Sequence, residues 1–332
     1  MFRVGVTRDV VRSDGTTVYD LSALDAAGVE WEQLPEHGRE LAARDVAGYD
    51  AVIVFSPRIR AGALAGEQRP LLVARLGVGY DTIDLAACTE RGVLLTITPD
   101  GIRRPMAQAG MAFVLALAHR LRERDDHVRR GGWDRFAHVG VGLDGKTLGL
   151  VGLGNVGRDL AALAGPFGLR ILAADPYVRD APDAVELVPL DTLLRDSDFV
   201  VLACPLTEET RHLIDAEALA LMRPTAYLIN IARGPVVDQT ALTAALTGRR
   251  LAGAALDVFE TEPVDADDPL LSLDNVLLAP HAVGLLDRTF RDSGRSACES
   301  VLAVAAGRVP RYVVNPDALR HPRLAQLARN AR

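Results

Sequence analysis

Three polar residues stand directly after apolar runs that predict strands. They are Arg233 in INIARG, Glu262 in DVFETEP and His281 in APHAVG. A histidine can hold or release a proton near neutral pH, and a carboxylate beside it can fix its tautomer and favour its protonated form. An arginine offers a planar fork to a carboxylate or a carbonyl. Together these types suit the reduction of a 2-oxo acid, in which a carbonyl oxygen receives a proton as it becomes a hydroxyl.

Each of these residues also has an ordinary explanation. A histidine after a proline is often a packing residue, and an Arg-Gly pair is often a turn. Because the carboxyl ends of parallel strands meet at one edge of a sheet, we expect the three side chains to converge there. Their joint placement favours the catalytic interpretation.

A glycine-rich turn in the middle of the chain predicts a dinucleotide site. The glycines, in GxGxxG spacing between a predicted strand and a predicted helix, are Gly152, Gly154 and Gly157. Such a turn lets the backbone approach a pyrophosphate, whose charge is stabilised at the helix N-terminus. Asp175 ends the next apolar run, 18 residues after Gly157, near the spacing of a carboxylate that binds ribose hydroxyls and repels a 2′-phosphate. The segment therefore predicts NAD rather than NADP, the alternative being a tight turn without a ligand.

A second pair of glycines follows a predicted strand near residue 76. Gly77 and Gly79 flank Val78, and consecutive backbone N–H groups in such a loop can hold a small carboxylate. The same pattern is equally typical of a plain turn.

Apolar runs alternate with helix-like segments along the whole chain. The predicted strands are 2–7, 29–34, 50–55, 71–76, 93–97, 148–151, 169–174, 198–203, 226–231, 253–258 and 275–279. This alternation indicates parallel, doubly wound sheets in an α/β protein. A length of 332 residues favours two domains over one.

Composition excludes several classes of protein. The net charge of −7 and the lack of a basic tract disfavour a nucleic-acid partner. No uncharged apolar run reaches membrane-spanning length, and the N-terminus lacks a signal-peptide core, so we expect no membrane partner and a cytoplasmic location. The 3 cysteines are far apart, which indicates neither a disulfide framework nor a metal site.

Residues 105–124 predict a long, apolar helix that begins at Pro105. It is more apolar than one domain face requires, so we expect it to link the domains and to pack against a second copy of the chain. The sequence therefore predicts a homodimer.

Several motifs in one order resemble the NAD-dependent, D-isomer specific 2-hydroxyacid dehydrogenase family over nearly the whole chain. They are ARLGVGYDTIDL, GKTLGLVGLGNVGRDLA, CPLTEET, LINIARGPVVD, ALDVFETEP and APHAVG. The resemblance implies that His281 is the general acid/base, that Glu262 pairs with it, and that Arg233 binds and polarises a 2-oxo acid on its way to a D-2-hydroxy acid. It also implies that the backbone amides of Gly77, Val78 and Gly79 hold the substrate carboxylate.

The resemblance extends to the cofactor and to the domains. It implies NAD bound by the glycine turn and Asp175, together with further contacts from Asn155, Val156, Cys204, Pro205, Thr210, Ile231, Ala232, Asp257, His281 and Gly284. It implies a Rossmann NAD-binding domain, residues 101–284, inserted into a flavodoxin-like substrate domain, residues 1–100 and 285–332.

The chain departs from the family pattern at two places. The segment at 100–108 reads DGIRRPMAQ, where relatives commonly show an Asn and then an Ala-Glu pair, and residues 284–287 read GLLD. Arg103 or Arg104 would either meet a second anionic group of the substrate or form surface ion pairs. Two other functions remain open: formate- or phosphite-type oxidation, and an NADH-sensing interaction protein on the same fold.

Overall fold

A computed structural model describes residues 2–330 of the chain. The described residues form two compact units, one of residues 2–102 and 285–330, the other of residues 103–284. The outer ends of the segments expected at 1–100 and 285–332 lie outside the described residues, and the inner boundary falls after Ile102 rather than after residue 100.

Short strands and helices alternate throughout the described residues. The strands are β1 (Val4–Val6), β2 (Trp31–Gln33), β3 (Ala51–Val54), β4 (Leu72–Arg75), β5 (Leu94–Thr96), β6 (Thr147–Val151), β7 (Arg170–Ala174), β8 (Val185–Leu187), β9 (Phe199–Leu202), β10 (Tyr227–Asn230), β11 (Gly253–Leu256) and β12 (Val276–Leu278). The helices are α1 (Ser22–Ala26), α2 (Ala43–Val46), α3 (Leu85–Glu90), α4 (Pro99–Ala118), α5 (Leu121–Arg129), α6 (Asn155–Ala164), α7 (Leu190–Asp196), α8 (Ala216–Leu221), α9 (Gln239–Thr247), α10 (Asp287–Ala305) and α11 (Ala325–Asn330).

The first unit contains a parallel sheet in the order β2-β1-β3-β4-β5. This is the flavodoxin-like, doubly wound order. Helix α10 returns to this sheet and packs its buried face, which includes Ala297 and Val301, into the same core as β1 and β4. The segment before α11 also belongs to the unit, because the buried Asn315 side chain accepts a hydrogen bond from Leu95 N–H at 2.8 Å.

The second unit contains a parallel sheet in the order β12-β11-β10-β9-β6-β7-β8. Strand order reverses at β6, with β9 on one side and β7 on the other, which is the Rossmann arrangement. All five residues of β6 are buried, as expected for a strand covered on both faces. In such sheets ligands bind outside the carboxyl ends of the strands, at the point of reversal.

Side-chain caps begin several of the helices that connect these strands. Asp84, Asp215 and Asp238 precede α3, α8 and α9, and each carboxylate accepts a backbone N–H of the first turn at 2.9 Å. An aspartate at this position satisfies N–H groups that the helix itself leaves without acceptors. The aspartates therefore help to fix where the loops end, and so where the loop residues stand.

Two predictions about local structure are wrong. Helix α4 begins at Pro99, so Pro105 lies inside it, and a left-handed residue, Arg120 (φ 51°), separates α4 from α5 where one helix was expected. Strand β8 was not predicted, because only Val185 of its three residues is buried and the apolar pattern is too short to detect.

Candidate active site

A histidine and a carboxylate form the central contact at the carboxyl ends of β11 and β12. His281 Nδ1 lies 2.8 Å from Glu262 Oε2, and Glu262 Oε1 accepts the Phe259 N–H at 3.0 Å. Burial alone would raise the pKa of Glu262. The hydrogen bonds from His281 and Phe259 and the charges of His281 and Arg233 outweigh it, so that this pKa lies below its usual value.

The lowered pKa of Glu262 decides the tautomer of the histidine. An ionised carboxylate only accepts hydrogen bonds, so Nδ1 of His281 must carry the hydrogen in their contact. The ring atom that can exchange a proton with another molecule is then Nε2. This arrangement suits a general acid/base.

Asp257 holds the backbone around His281. It is 2% exposed, and its Oδ1 accepts the N–H groups of Ala282 at 2.8 Å and Val283 at 3.2 Å. The N–H of His281 donates to the Asp257 carbonyl oxygen at 2.7 Å, and His281 has the left-handed φ of 54°. Burial raises the pKa of Asp257 against the effect of the two N–H donors. Asp257 thus fixes the turn that presents the imidazole.

Arg233 follows β10 and is positioned by a buried asparagine that sequence reasoning missed. Asn230, 1% exposed, donates from Nδ2 to the Arg233 carbonyl at 2.9 Å and accepts the Ala232 N–H at 3.0 Å. Arg233 Nη1 donates to the Ala232 carbonyl at 2.8 Å. The charge of Arg233 also contributes to the lowered pKa of Glu262. An amide within the otherwise apolar LINI run was the available signal.

The loops after β10 and β11 are packed backbone to backbone. A Cβ on Gly234 would lie 1.8 Å from the Phe259 carbonyl oxygen, so only glycine fits there. The Glu260 carboxylate has two partners: its Oε1 lies 2.6 Å from His212 Nε2, and its Oε2 accepts the Gln239 N–H at 3.3 Å. These contacts, also missed from the sequence, join the loop after β11 to the loop after β9 and to the start of α9.

The glycine turn after β6 has the shape that a dinucleotide site requires. Gly152 has φ 97°, and a Cβ there would lie 2.8 Å from the Cys204 backbone nitrogen. A Cβ on Gly157 would lie 2.3 Å from the Gly152 carbonyl oxygen, whereas Gly154 faces open space. The open position lies at the N-terminus of α6, beside Asn155 and Val156. A phosphate could therefore approach the helix end without displacing a side chain.

Asp175 is tied directly to this turn. Its Oδ2 accepts the Leu153 N–H at 2.9 Å, and its Oδ1 accepts the Tyr177 N–H at 3.0 Å. Each carboxylate oxygen has a further lone pair. Asp175 can therefore accept ribose hydroxyls while it stays bound to the backbone.

The loop after β9 lies on the other side of the glycine turn. Thr210 Oγ1 donates to the Pro205 carbonyl at 2.7 Å and accepts the Thr207 N–H at 2.8 Å, which closes the loop on itself. Burial raises the pKa of Cys204 to about 11. Ile231 and Ala232 are buried beneath the strand ends, and Gly284 is buried at the end of the unit.

The loop of Gly77, Val78 and Gly79 belongs to the first unit. Gly77 has φ 120°, and its N–H already donates to Thr98 Oγ1 at 2.7 Å. Arg75 Nε donates to the Gly79 carbonyl at 3.1 Å and so holds the loop. The amides of Val78 and Gly79 are the donors that this turn can present to a carboxylate.

Arg103 forms a surface ion pair rather than pointing alone into solvent. Its Nε and Nη2 donate to the two oxygens of Asp159 at 2.8 and 2.6 Å. Of the two interpretations of Arg103, the geometry favours ion pairing.

Within residues 2–330, no group of three or more His, Cys, Asp and Glu side chains could hold a metal ion. The helices of the same residues include none with the length and apolar character of a membrane span.

Comparison with known proteins places this geometry in a family. Residues 111–283 match the model of the D-isomer specific 2-hydroxyacid dehydrogenase, NAD binding domain. Glyoxylate reductase of Korarchaeum cryptofilum is 38% identical over 96% of this chain and 97% of its own, and that of Thermococcus onnurineus is 41% identical over 87% and 90%. The structure of D-lactate dehydrogenase from Aquifex aeolicus, complexed with NAD and lactic acid, has a TM-score of 0.81 and 27% identity over 96% of this chain and 97% of its own. The chain belongs to the D-isomer specific 2-hydroxyacid dehydrogenase family and is an NAD-dependent oxidoreductase.

Proposed function

We propose that the chain reversibly reduces a small 2-oxo acid to its D-2-hydroxy acid with NADH. The observation that carries the proposal is the hydrogen bond between His281 and Glu262, with Arg233 close enough to affect the Glu262 carboxyl. The glyoxylate reductases among its relatives support a short substrate such as glyoxylate.

His281 acts as the general acid in the reductive direction. NADH, when bound, would supply a hydride for the substrate carbonyl carbon, and the carbonyl oxygen would then need a proton. His281 Nε2 donates that proton, while Glu262 retains the hydrogen on Nδ1 and stabilises the positive ring before transfer. In the oxidative direction the neutral ring accepts the proton at the same atom.

Arg233 binds and polarises the substrate. A guanidinium pairs with a carboxylate or a carbonyl oxygen through charge-assisted hydrogen bonds, and Asn230 fixes the backbone from which it extends. The backbone amides of Val78 and Gly79 would hold the substrate carboxylate, with Gly77 shaping the turn.

The second unit holds the cofactor in this proposal. Gly152, Gly154, Asn155, Val156 and Gly157 would surround the pyrophosphate, because the open face of Gly154 leaves room at the start of α6. Asp175 would bind the adenosine ribose, and the loop of Cys204, Pro205 and Thr210 would lie beside it. The ends of β10, β11 and β12, with Ile231, Ala232, Asp257 and Gly284, would lie at the nicotinamide side.

We also propose a homodimer. Side chains between residues 121 and 141 expose an unusual amount of apolar surface, with Trp133 79% and Phe136 82% exposed. Large exposed aromatic groups often mark protein interfaces. Sedimentation of the purified chain should give a dimer, and Trp133→Ser with Phe136→Ser should shift it towards monomer. A monomeric parent chain at working concentrations would refute this part.

The catalytic proposal is tested with NADH oxidation across a panel of 2-oxo acids. Arg233→Ala and His281→Ala should each lower kcat/KM by at least about 100-fold, as expected when a group that stabilises charge in the transition state is lost. NADH binding, followed by fluorescence, should stay within a few fold of the parent. Unchanged turnover in either variant would refute its role, and tight NADH binding without turnover on any acid would favour the sensing function.

A further inference from the structure

A hydrogen bond between Tyr177 and Glu209, neither of which has a role in the proposed reaction, joins the loops on either side of the glycine turn. Tyr177, two residues beyond Asp175 in the loop after β7, donates its hydroxyl to Glu209 Oε2 at 2.6 Å, and Glu209 lies in the loop after β9. Strand β6 lies between β7 and β9 in the sheet. The hydrogen bond therefore spans the carboxyl end of β6, over the glycine turn.

Both ends of this bridge are fixed by neighbouring contacts. Tyr177 N–H donates to Asp175, whose other oxygen accepts Leu153 N–H from the glycine turn. Next to Glu209, Thr210 closes its own loop through Pro205 and Thr207. The bridge is thus attached to all three loops that flank the expected adenosine position.

The bridge adds a second carboxylate to this place. The hydrogen bond to Glu209 is the main cause of the raised pKa of Tyr177, and the negative charges of Glu209 and Asp175 raise this pKa further. Two exposed cations, Arg179 and Arg211, stand in the same loops and would attract a phosphate. The negative charge of Glu209 offsets the attraction of these two arginines for a phosphate.

We propose that Tyr177 and Glu209 form the outer wall of the adenosine subsite, and that Glu209 acts with Asp175 to exclude a 2′-phosphate. This rests on the proposed NAD site and extends it to cofactor discrimination. A 2′-phosphate carries about −1.5 to −2 charges at pH 7. Because Glu209 is exposed to solvent, its repulsion of a neighbouring phosphate is that of charges in water, which corresponds to roughly tenfold in binding. Salt screens such an interaction, because the Debye length at physiological ionic strength is about 8 Å.

The test measures Kd for NADH and NADPH by fluorescence titration of the full chain. Glu209→Gln keeps an acceptor for Tyr177 but removes the charge, and it should lower the ratio of the NADPH Kd to the NADH Kd roughly tenfold, mainly through tighter NADPH binding. Glu217→Gln, an exposed acid on α8, makes the same change in net charge and should leave the ratio unchanged. The parent ratio should fall with added salt, and that of Glu209→Gln should fall less.

Tyr177→Phe tests the wall itself. Loss of the hydroxyl removes the bridge and should weaken both dinucleotides by about two- to tenfold, the range of one hydrogen bond. The proposal is overturned if Glu209→Gln leaves the ratio unchanged, if Glu217→Gln changes it equally, or if Tyr177→Phe tightens binding. A parent chain that binds neither dinucleotide would overturn the proposed function as well. If the parent turns over NADH but Glu209→Gln leaves the ratio of the two Kd values unchanged, only the proposed discrimination against NADPH is overturned.

Discussion

Replacing Glu262 with glutamine tests the link between its carboxylate and the acid function of His281. The carboxylate now accepts two hydrogen bonds, one from Phe259 N–H and one from His281 Nδ1. A glutamine has one oxygen, so it can accept only one of them with that atom, and its NH₂ group must face the other donor. The protonated imidazole loses its counter-charge in either orientation.

The size of the effect follows from the exposure of the pair. Hydrogen bonds to charged groups contribute about 1.5–3 kcal/mol, but the two side chains are 45% and 36% exposed, so solvent screening favours the lower end. We take about 1.5 kcal/mol. That energy corresponds to about a tenfold change in rate.

The assay is kcat/KM for glyoxylate reduction by NADH at pH 7. Glu262→Gln should be about tenfold slower than the parent, because the imidazole that donates the proton in the proposed mechanism has lost its counter-charge. Glu260→Gln, two residues away in the same loop and paired with His212, is the matched control and should keep the parent kcat/KM.

A Glu262→Gln variant that keeps the parent kcat/KM would refute the assignment of Glu262 as the partner of the proton donor. An equal loss of rate in both variants would show that the loss of any charge in this loop produces the effect. Either result would leave the family membership intact and remove the mechanism built on this pair.

Two further predictions concern the glycine turn and the thiols. Gly154→Ala should keep the parent Tm but raise KM for NADH at least about tenfold, because its Cβ enters open space that a pyrophosphate needs. Gly157→Ala should instead lower Tm by several degrees, because its Cβ would lie 2.3 Å from a backbone oxygen. A stable, tightly binding Gly154→Ala would contradict the site. Burial raises the pKa of all three thiols, to about 12, 11 and 12 for Cys88, Cys204 and Cys298. The folded chain should therefore react with a thiol reagent at pH 8 at least about 100-fold more slowly than the unfolded chain, and equal rates would contradict that burial.

The parts of the fold that a sequence predicts well are those where one residue type is required by the backbone. The turn at Gly152 needs a positive φ, and the contact of Gly157 with the Gly152 carbonyl needs the absence of a side chain. Buried parallel strands such as β6 give long apolar runs. These signals identify the α/β class and the parallel sheets, both of which the structure confirms.

The missed features depend on contacts between distant segments. Proline at 105 is compatible with a helix start, and only packing reveals that α4 begins six residues earlier. The contacts of His212 with Glu260 and of Tyr177 with Glu209 join residues 48 and 32 positions apart, and no local pattern pairs them. The roles of the site residues themselves stay predictions, because a contact between side chains does not show what reaction they perform.

The backbone of His281 has a consequence for the engineering of heat tolerance. Its left-handed φ of 54° costs an ordinary residue about 1 kcal/mol that glycine, and in part asparagine, would avoid. Natural enzymes often sacrifice robustness at such positions. A library selected for heat resistance alone would therefore be enriched in survivors that have exchanged this histidine. If His281 has the proposed catalytic role, those survivors no longer turn over substrate, so each round of such a selection must also demand activity.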